Sequence, residues 1–256
     1  MSDILVSTKN GICTITFNRP ERKNALTVQM YADVVHAMHA ADVDPAVHVV
    51  LFTGAGDSFT SGNDIADFVN TPPTGEDSPV FQFIMLLASY EKPIVVAVNG
   101  NAIGIGVTML MHVDIVYVAD TAKLKMPFVT LGLCPEAGSS FLLPRMAGHA
   151  KASELLLFGE PFDGATAVDV GLASRVVPHA ELLAFATERC RILAQERPLA
   201  SLKSTKKLLK ERLADELKAA IYAEALAFTA HLGSDEAREA FSAFFEKRKP
   251  NFAQFS

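Results

Sequence analysis

The chain of 256 residues has no tryptophan, only three cysteines and no excess of positive charge. Each shortage closes a class of function. Cys13, Cys134 and Cys190 lie far apart, form no C-x-x-C pair and are odd in number. They read as reduced thiols of a cytoplasmic protein, not as a disulfide framework. With 23 Lys and Arg against 29 Asp and Glu, the net charge is −6. The basic stripe of a nucleic-acid-binding protein is missing, although a local cationic patch for an anionic ligand stays open. No uninterrupted apolar run approaches the ~18 residues of a membrane span, so none is expected. The opening "MSDILVSTKNG" lacks the basic and apolar regions of a signal peptide, and the closing "AQFS" is not a peroxisomal S-K-L.

What is present is a core. Half of the residues are hydrophobic, enough for one large domain or a domain with an appendage. "ILVST" and "ICTITF", joined by "KNG", predict a β-hairpin. The polar loop "RPERKNAL" follows. Thr27 is placed to cap a helix reaching about Ala41, with Val28, Tyr31, Val34, Val35 and Met38 on one face. "VHVVLFT" and "KPIVVAVNG" predict buried strands, separated by a helix from about Val80 to Tyr90 and by the loop "NTPPTGEDSP". "NAIGIGVTMLM" reads as a turn into a buried helix, "VDIVYVAD" as a strand and "AKLKMP" as a short one. From about Phe128 onward strand signals fade and helical patterns take over. Pro198 and Ser234 mark helix starts. This order predicts α/β layering followed by a helical extension, divided as a core over residues 1–197 and a helical region over 198–256.

Two strand ends stand out. "VHVVLFT" leads into Ser61-Gly62-Asn63-Asp64, and "IVVAVNG" leads into Gly104-Ile105-Gly106. Glycine lets a backbone approach a ligand closely. The first N–H groups of a helix lack internal acceptors, so one donor from each turn could form an oxyanion hole. Glycine used only for tight packing explains the same residues. A dinucleotide fingerprint does not, because it needs glycine where Met109 stands. Glu136, in a Pro-Glu-Ala-Gly turn between apolar segments, is either an exposed residue at a helix start or a desolvated base. Ser139 and Ser140 after it suit a helix start.

Other candidates read as ordinary structure. His36 and His39 sit at i, i+3 on a surface helix without a carboxylate ligand set, so no metal site is expected. His112 is expected to be packed at a strand start, and Cys134 to fill the core. Lys203, Lys206, Lys207 and Lys210 form one helical stripe that reads as a solvated face.

The segments "ITFNRPERKNAL", "FTSGNDI", "VNGNAIGIGVTMLMHVDIVYVADTAKLKMP" and "AREAFSAFFEKRKPNF", in that order, resemble the crotonase (enoyl-CoA hydratase/isomerase) superfamily. The Ser-Gly-Asn-Asp motif is similar to that of the Δ3,Δ2-enoyl-CoA isomerases. The resemblance implies a crotonase-like spiral of ββα units with a helical C-terminal trimerisation region. It implies an acyl-CoA thioester substrate, no separate cofactor, no nucleic-acid or membrane partner, and a homotrimer or dimer of trimers. By position it assigns the oxyanion donors to the N–H groups of Ser61 and Ile105, with the Ile105 side chain placed to narrow the acyl pocket. Glu136 falls where the isomerases carry their single catalytic glutamate; the family's dienoyl isomerases and a dehalogenase also place an acid near there, so another crotonase activity (hydratase-like, dienoyl isomerase, hydrolase or dehalogenase) and a non-catalytic acyl-CoA binder stand as alternatives. The two hydratase glutamates fall on Thr108 and Phe128, so water addition is expected to be poor. Asp64 is expected to cap the next helix or tie down the loop. The remaining substrate contacts are Arg22, Lys23, Ala25, Gly62, Asn63, Ile65, Gly104, Gly106, Phe128, Leu133, Phe244 and Lys247, the last two at family positions that reach a neighbouring subunit's CoA. The helices flanking Pro72-Pro73 are expected to line the acyl tunnel.

Overall fold

Two sheets grow side by side as the chain winds. The computed structural model describes residues 2–70 and 75–255. Strands β1 (Ile4–Lys9) and β2 (Ile12–Phe17) pair as an antiparallel hairpin. Its turn, Asn10-Gly11, has positive φ at both residues, the form that matches strand twist. Helix α1 (Val28–Val43) starts where Thr27 accepts the Met30 N–H. Strand β3 (Val49–Gly54) is followed by the short β4 (Ser58–Thr60) and by α2 (Ile65–Asn70) and α3 (Pro79–Ser89). Strand β5 (Ile94–Val98) is followed by the short β6 (Asn101–Ile103) and by α4 (Ile105–Thr108). Strand β7 (Ile115–Ala119) is followed by the short β8 (Lys123–Lys125), then α5 (Ser139–Ala147) and α6 (His149–Phe158).

Each turn of chain therefore lays one strand in a large sheet, one in a small sheet, and then helix. The large sheet runs β1-β2-β3-β5-β7-β10 and the small one β4-β6-β8-β9. The final members are β9 (Phe162–Asp163), α7 (Gly164–Asp169) and β10 (Arg175–Val177). Beyond the hairpin the large sheet is parallel. Such strands are covered on both faces, which explains the unbroken apolar run of β5, buried at every position. Helix α8 (His179–Glu196) packs on β3, β5 and β7, and α9 (Leu199–Lys210), α10 (Ala214–Leu232) and α11 (Asp235–Phe245) complete the chain. Pro198 occupies the N-cap of α9, and Ser234 caps α11 by accepting the Ala237 N–H.

The structure departs from the pattern reading at short elements. Asn101–Ile103 is a strand, not a turn, and the helix after it has a single turn continued by a 3-10 turn over Met109–Met111. β9 and β10 lie in the stretch read as helical. At two and three residues they show no periodicity. Of the expected loop between α2 and α3, Pro72 and Pro73 lie outside the described residues. The lysine stripe is not wholly solvated: Lys206 is buried, and its Nζ donates to Asp114 at 2.7 Å and to the Lys92 carbonyl at 2.8 Å. Lys210 donates to the His112 carbonyl. These two lysines fasten α9 to the core.

Removing Lys206 leaves Asp114 and a carbonyl without a cation. Lys206→Ala is expected to cost about 2–3 kcal/mol in urea unfolding, whereas the exposed Lys207→Ala stays within about 0.5 kcal/mol.

Candidate active site

Residues 19–26 form the first wall. Asn24 is buried at positive φ; its side chain accepts the Arg19 N–H and donates to the carbonyls of Ala55 and Ser58. This pins the polar loop against β4. The loop then runs alongside the Ser-Gly-Asn-Asp turn. Ser61 N–H donates to the Lys23 carbonyl at 2.9 Å, Leu26 N–H to Gly62 at 2.8 Å, and Asp64 N–H to Leu26 at 2.8 Å. Leu26 and Asn63 form a parallel bridge.

This register corrects the expected donor. The Ser61 N–H is already engaged, and its hydroxyl faces the Arg22 carbonyl at 3.4 Å. In a parallel bridge the neighbours of Asn63 bond to Leu26, so the N–H of Asn63 itself faces the other way. Among the described residues it has no acceptor. Asn63 lines the cavities described below, so it replaces Ser61 as the first candidate donor. Its side chain accepts from the hydroxyl of the buried Tyr31 at 2.5 Å. Gly62 is required at this turn: its φ is 85°, and a Cβ there would lie 2.9 Å from the Ile103 carbonyl oxygen. Asp64 meets both expectations. It accepts the Asp67 N–H at 3.2 Å and pairs with Arg19 at 2.8 Å. Burial pushes its carboxyl up, but Arg19 and the backbone donors outweigh that and hold it below its usual value.

The second turn also leaves an N–H open. Ile105 opens α4, and the Gly104 carbonyl accepts from Val107 and Thr108. The Ile105 N–H has no acceptor among the described residues, as the first turn of a helix dictates. Gly106 does not reach the cavities; it packs on Thr60, whose methyl a Cβ would meet at 2.5 Å.

Glu136 completes the set. Thr108 Oγ1 donates to its Oε1 at 2.5 Å, and His112 Nε2 donates to the adjacent Ala137 carbonyl at 2.6 Å. Burial pushes the Glu136 carboxyl up to about 8; the Thr108 hydroxyl opposes this and the Glu224 charge adds to it. Burial pushes His112 down to about 4, so this imidazole is a neutral prop.

Two cavities meet at Glu136. The larger, about 960 Å³, is lined by Arg22, Ala25, the Ser61–Ile65 turn, Gly104, Ile105, Phe128, Leu133 and Phe244. Lys125 and Lys249 add cationic groups to its wall. The smaller, about 300 Å³, is apolar and runs between α2, α3 and α10 past Phe68, Phe81, Ile84 and Phe228. Asn63, Phe68, Glu136 and Phe228 line both. Ile105 lines the larger cavity and not the smaller one. Lys23 and Lys247 are not in either wall; both hold positive-φ turns, and Phe244 borders the cavity of its own chain. The roles of Thr108, Asn63 and Tyr31 had no local sequence signal, because each depends on what the fold brings opposite. Among the described residues no group of three His, Cys, Asp or Glu side chains is placed to hold a metal ion, and no helix is long and apolar enough to cross a membrane.

Two open N–H groups beside a buried carboxyl, on strands and helices wound as a spiral, mark the chain as one of a class that shares this fold and site. Comparison with known proteins names that class. The family model described as enoyl-CoA hydratase/isomerase matches residues 7–255, and the chain belongs to this family. Enoyl-CoA delta isomerase 2 of Rattus norvegicus is 38% identical over 96% of the chain and 64% of its own length. The chain thus spans less than two thirds of that relative. The 2,3-dehydroadipyl-CoA hydratase of Escherichia coli is 32% identical over 98% of this chain and 99% of that one. A crystal structure of an enoyl-CoA hydratase/isomerase from Pseudoalteromonas atlantica superposes with a TM-score of 0.93 at 39% identity, covering 98% of this chain and 100% of that one.

The raised Glu136 carboxyl has a thermodynamic signature. The folded state holds a proton that the unfolded state releases near 4.5, so this stabilisation is full below about pH 4.5 and is lost as pH rises through about 8. Glu136→Gln lacks the effect. Its Tm advantage over the parent chain is expected to grow between about pH 5 and 8 and then level off, as followed by calorimetry across that range.

Proposed function

We propose that the protein is a Δ3,Δ2-enoyl-CoA isomerase with Glu136 as its single acid–base group. The observation that carries this reading is the placing of Glu136 where the two cavities meet, with the free N–H groups of Asn63 and Ile105 in the same walls. The CoA moiety occupies the larger cavity, whose Arg22, Lys125 and Lys249 suit its phosphates. The acyl chain enters the smaller one. The thioester carbonyl lies between the two N–H groups.

Glu136 takes a proton from C2. The C–H electron pair delocalises into the thioester as an enolate, and the two donors hold the charge on oxygen. The same carboxyl returns the proton at C4, and the double bond moves from C3–C4 to C2–C3. A positioned base contributes about 10²–10⁴-fold, and one oxyanion donor about 10²–10³-fold. A carboxyl titrating near 8 matches the task, because it must both take and release a proton near neutrality. CoA enters as part of the substrate, so no separate cofactor is invoked.

Water addition is a poor fit. Of the two hydratase carboxylates, one position is Thr108, which holds Glu136, and the other is the buried Phe128. Neither side chain activates water. The other acids in the walls are engaged elsewhere: Asp64 with Arg19, and Glu76 with Tyr222. We further propose, from the family resemblance, a homotrimer or a pair of trimers in the cytoplasm; sedimentation equilibrium checks the mass.

Incubation with 3-enoyl-, 2-enoyl- and aryl-CoA thioesters, followed for double-bond shift and for hydration, tests the assignment. The 3-enoyl substrate is expected to isomerise and Glu136→Gln to lose at least about 10²-fold in turnover; near-parental turnover in that variant removes the proposal. The kcat/KM of the parent is expected to rise with pH to a plateau above about 8, as the free carboxyl deprotonates. Thr108→Val removes the hydrogen bond that lowers this titration, so its limb moves to higher pH.

A further inference from the structure

The turn that presents Glu136 is held from an unexpected side. Ala137 and Gly138, directly after Glu136, both have positive φ, at 58° and 72°. Alanine in that region costs about 1–2 kcal/mol and persists only where the surroundings dictate it. One restraint is His112. The other is Glu224, buried on α10, whose Oε2 accepts the Gly138 N–H at 2.5 Å. Its Oε1 accepts both the N–H of Ser140, at 2.8 Å, and its hydroxyl, at 2.5 Å. Glu224 thereby caps α5 from a helix more than eighty residues away in sequence. Since both oxygens accept from donors, the geometry fits the ionised form, and the N-terminal dipole of the nine-residue α5 favours it.

We infer that Glu224 is a positioning residue for Glu136, locking its turn from α10 and acting on it as a neighbouring negative charge. The inference rests on the reading of Glu136 as the base. It assigns the C-terminal helical region a part in the chemistry as well as in the wall of the site. A like charge beside a carboxyl makes it hold its proton more tightly. Burial raises Glu224, with its hydrogen bonds from Ser140 and Gly138 opposing. The other titratable groups around the pair are Tyr31 from α1, Cys134 from the preceding loop and His112 after α4. On α5 and α10, Arg145 pairs with Glu216 at the surface, and Lys218 lies over Tyr222, which bonds Glu76. All of these are unchanged in the variants below.

In Glu224→Gln, kcat is expected to fall about tenfold or more, with KM for the 3-enoyl thioester within about twofold because the cavity walls are intact. The acid limb of kcat/KM moves to lower pH. Glu224→Asp keeps the charge and shortens the reach, so kcat falls while the limb stays in place. A purely structural cap would lower Tm in Glu224→Gln and leave both kcat and the limb where they were; that result overturns the inference. A measurement that needs no turnover guards against misfolding of the variant. Carboxyl carbon NMR of the unliganded protein is expected to show a second step in the Glu224 resonance as Glu136 deprotonates near pH 8, a step that Glu136→Gln lacks, since each charge is felt at the other carboxyl. Identical Glu224 titrations in the two proteins also overturn it. Full activity in Glu136→Gln would instead defeat the isomerase reading, and the carboxyl titrations would still decide whether the two acids are coupled.

Discussion

The site depends on one short helix, α4, and on the N–H that its first residue cannot satisfy internally. Ile105, Thr108 and His112 follow at helical spacing along α4 and the 3-10 turn after it. Ile105 offers the open donor, Thr108 grips the Glu136 carboxylate, and His112 grips the carbonyl of the next residue. A single rigid piece of backbone thus sets the distance from the open N–H to the Glu136 carboxyl. The helix is buried along its length, so none of these three roles can shift without disturbing the core. Its own position is set by β6, which is in turn paired with β4 and β8.

Around that helix the protein accepts unfavourable local states. A carboxyl stands in a largely apolar junction, an alanine adopts a left-handed conformation, and a neutral histidine is buried with its Nδ1 unpartnered among the described residues. Each is tolerable because a neighbouring element compensates. Such strain suits a preorganised site, whose polar groups are held in place before a ligand arrives. Desolvation also tunes the carboxyl. The same burial that destabilises the Glu136 carboxylate raises its basicity.

Much of the larger design was legible in the residues. The Asn10-Gly11 hairpin, the Thr27 and Ser234 caps and the two apolar parallel strands follow from local chemistry, and the structure contains them all. Glu136 could be singled out because an acid in an apolar turn needs a reason. The short strands β6, β9 and β10 could not, since two or three residues carry no period. Lys206 and Lys210 misled for a related reason: a lysine stripe is usually solvated, and only the packing of α9 shows Asp114 and the His112 carbonyl waiting beneath it. Ser61 and Asn63 differ by two positions, a step that composition and motif spacing do not resolve.

By itself, the sequence determined the family, the alternation of strand and helix, and the acid that stands in an apolar turn, with Thr108 and Phe128 as non-acidic neighbours. These depend on residue type and order along the chain. Only the tertiary structure decided which backbone N–H faces the cavity, which lysines lie inside, and which distant glutamate holds the turn. The direction of an N–H depends on the register between Leu26 and Asn63. The grip of Glu224 depends on where α10 lands against α5. Both are contacts between segments far apart in the chain, set by packing and leaving no local trace.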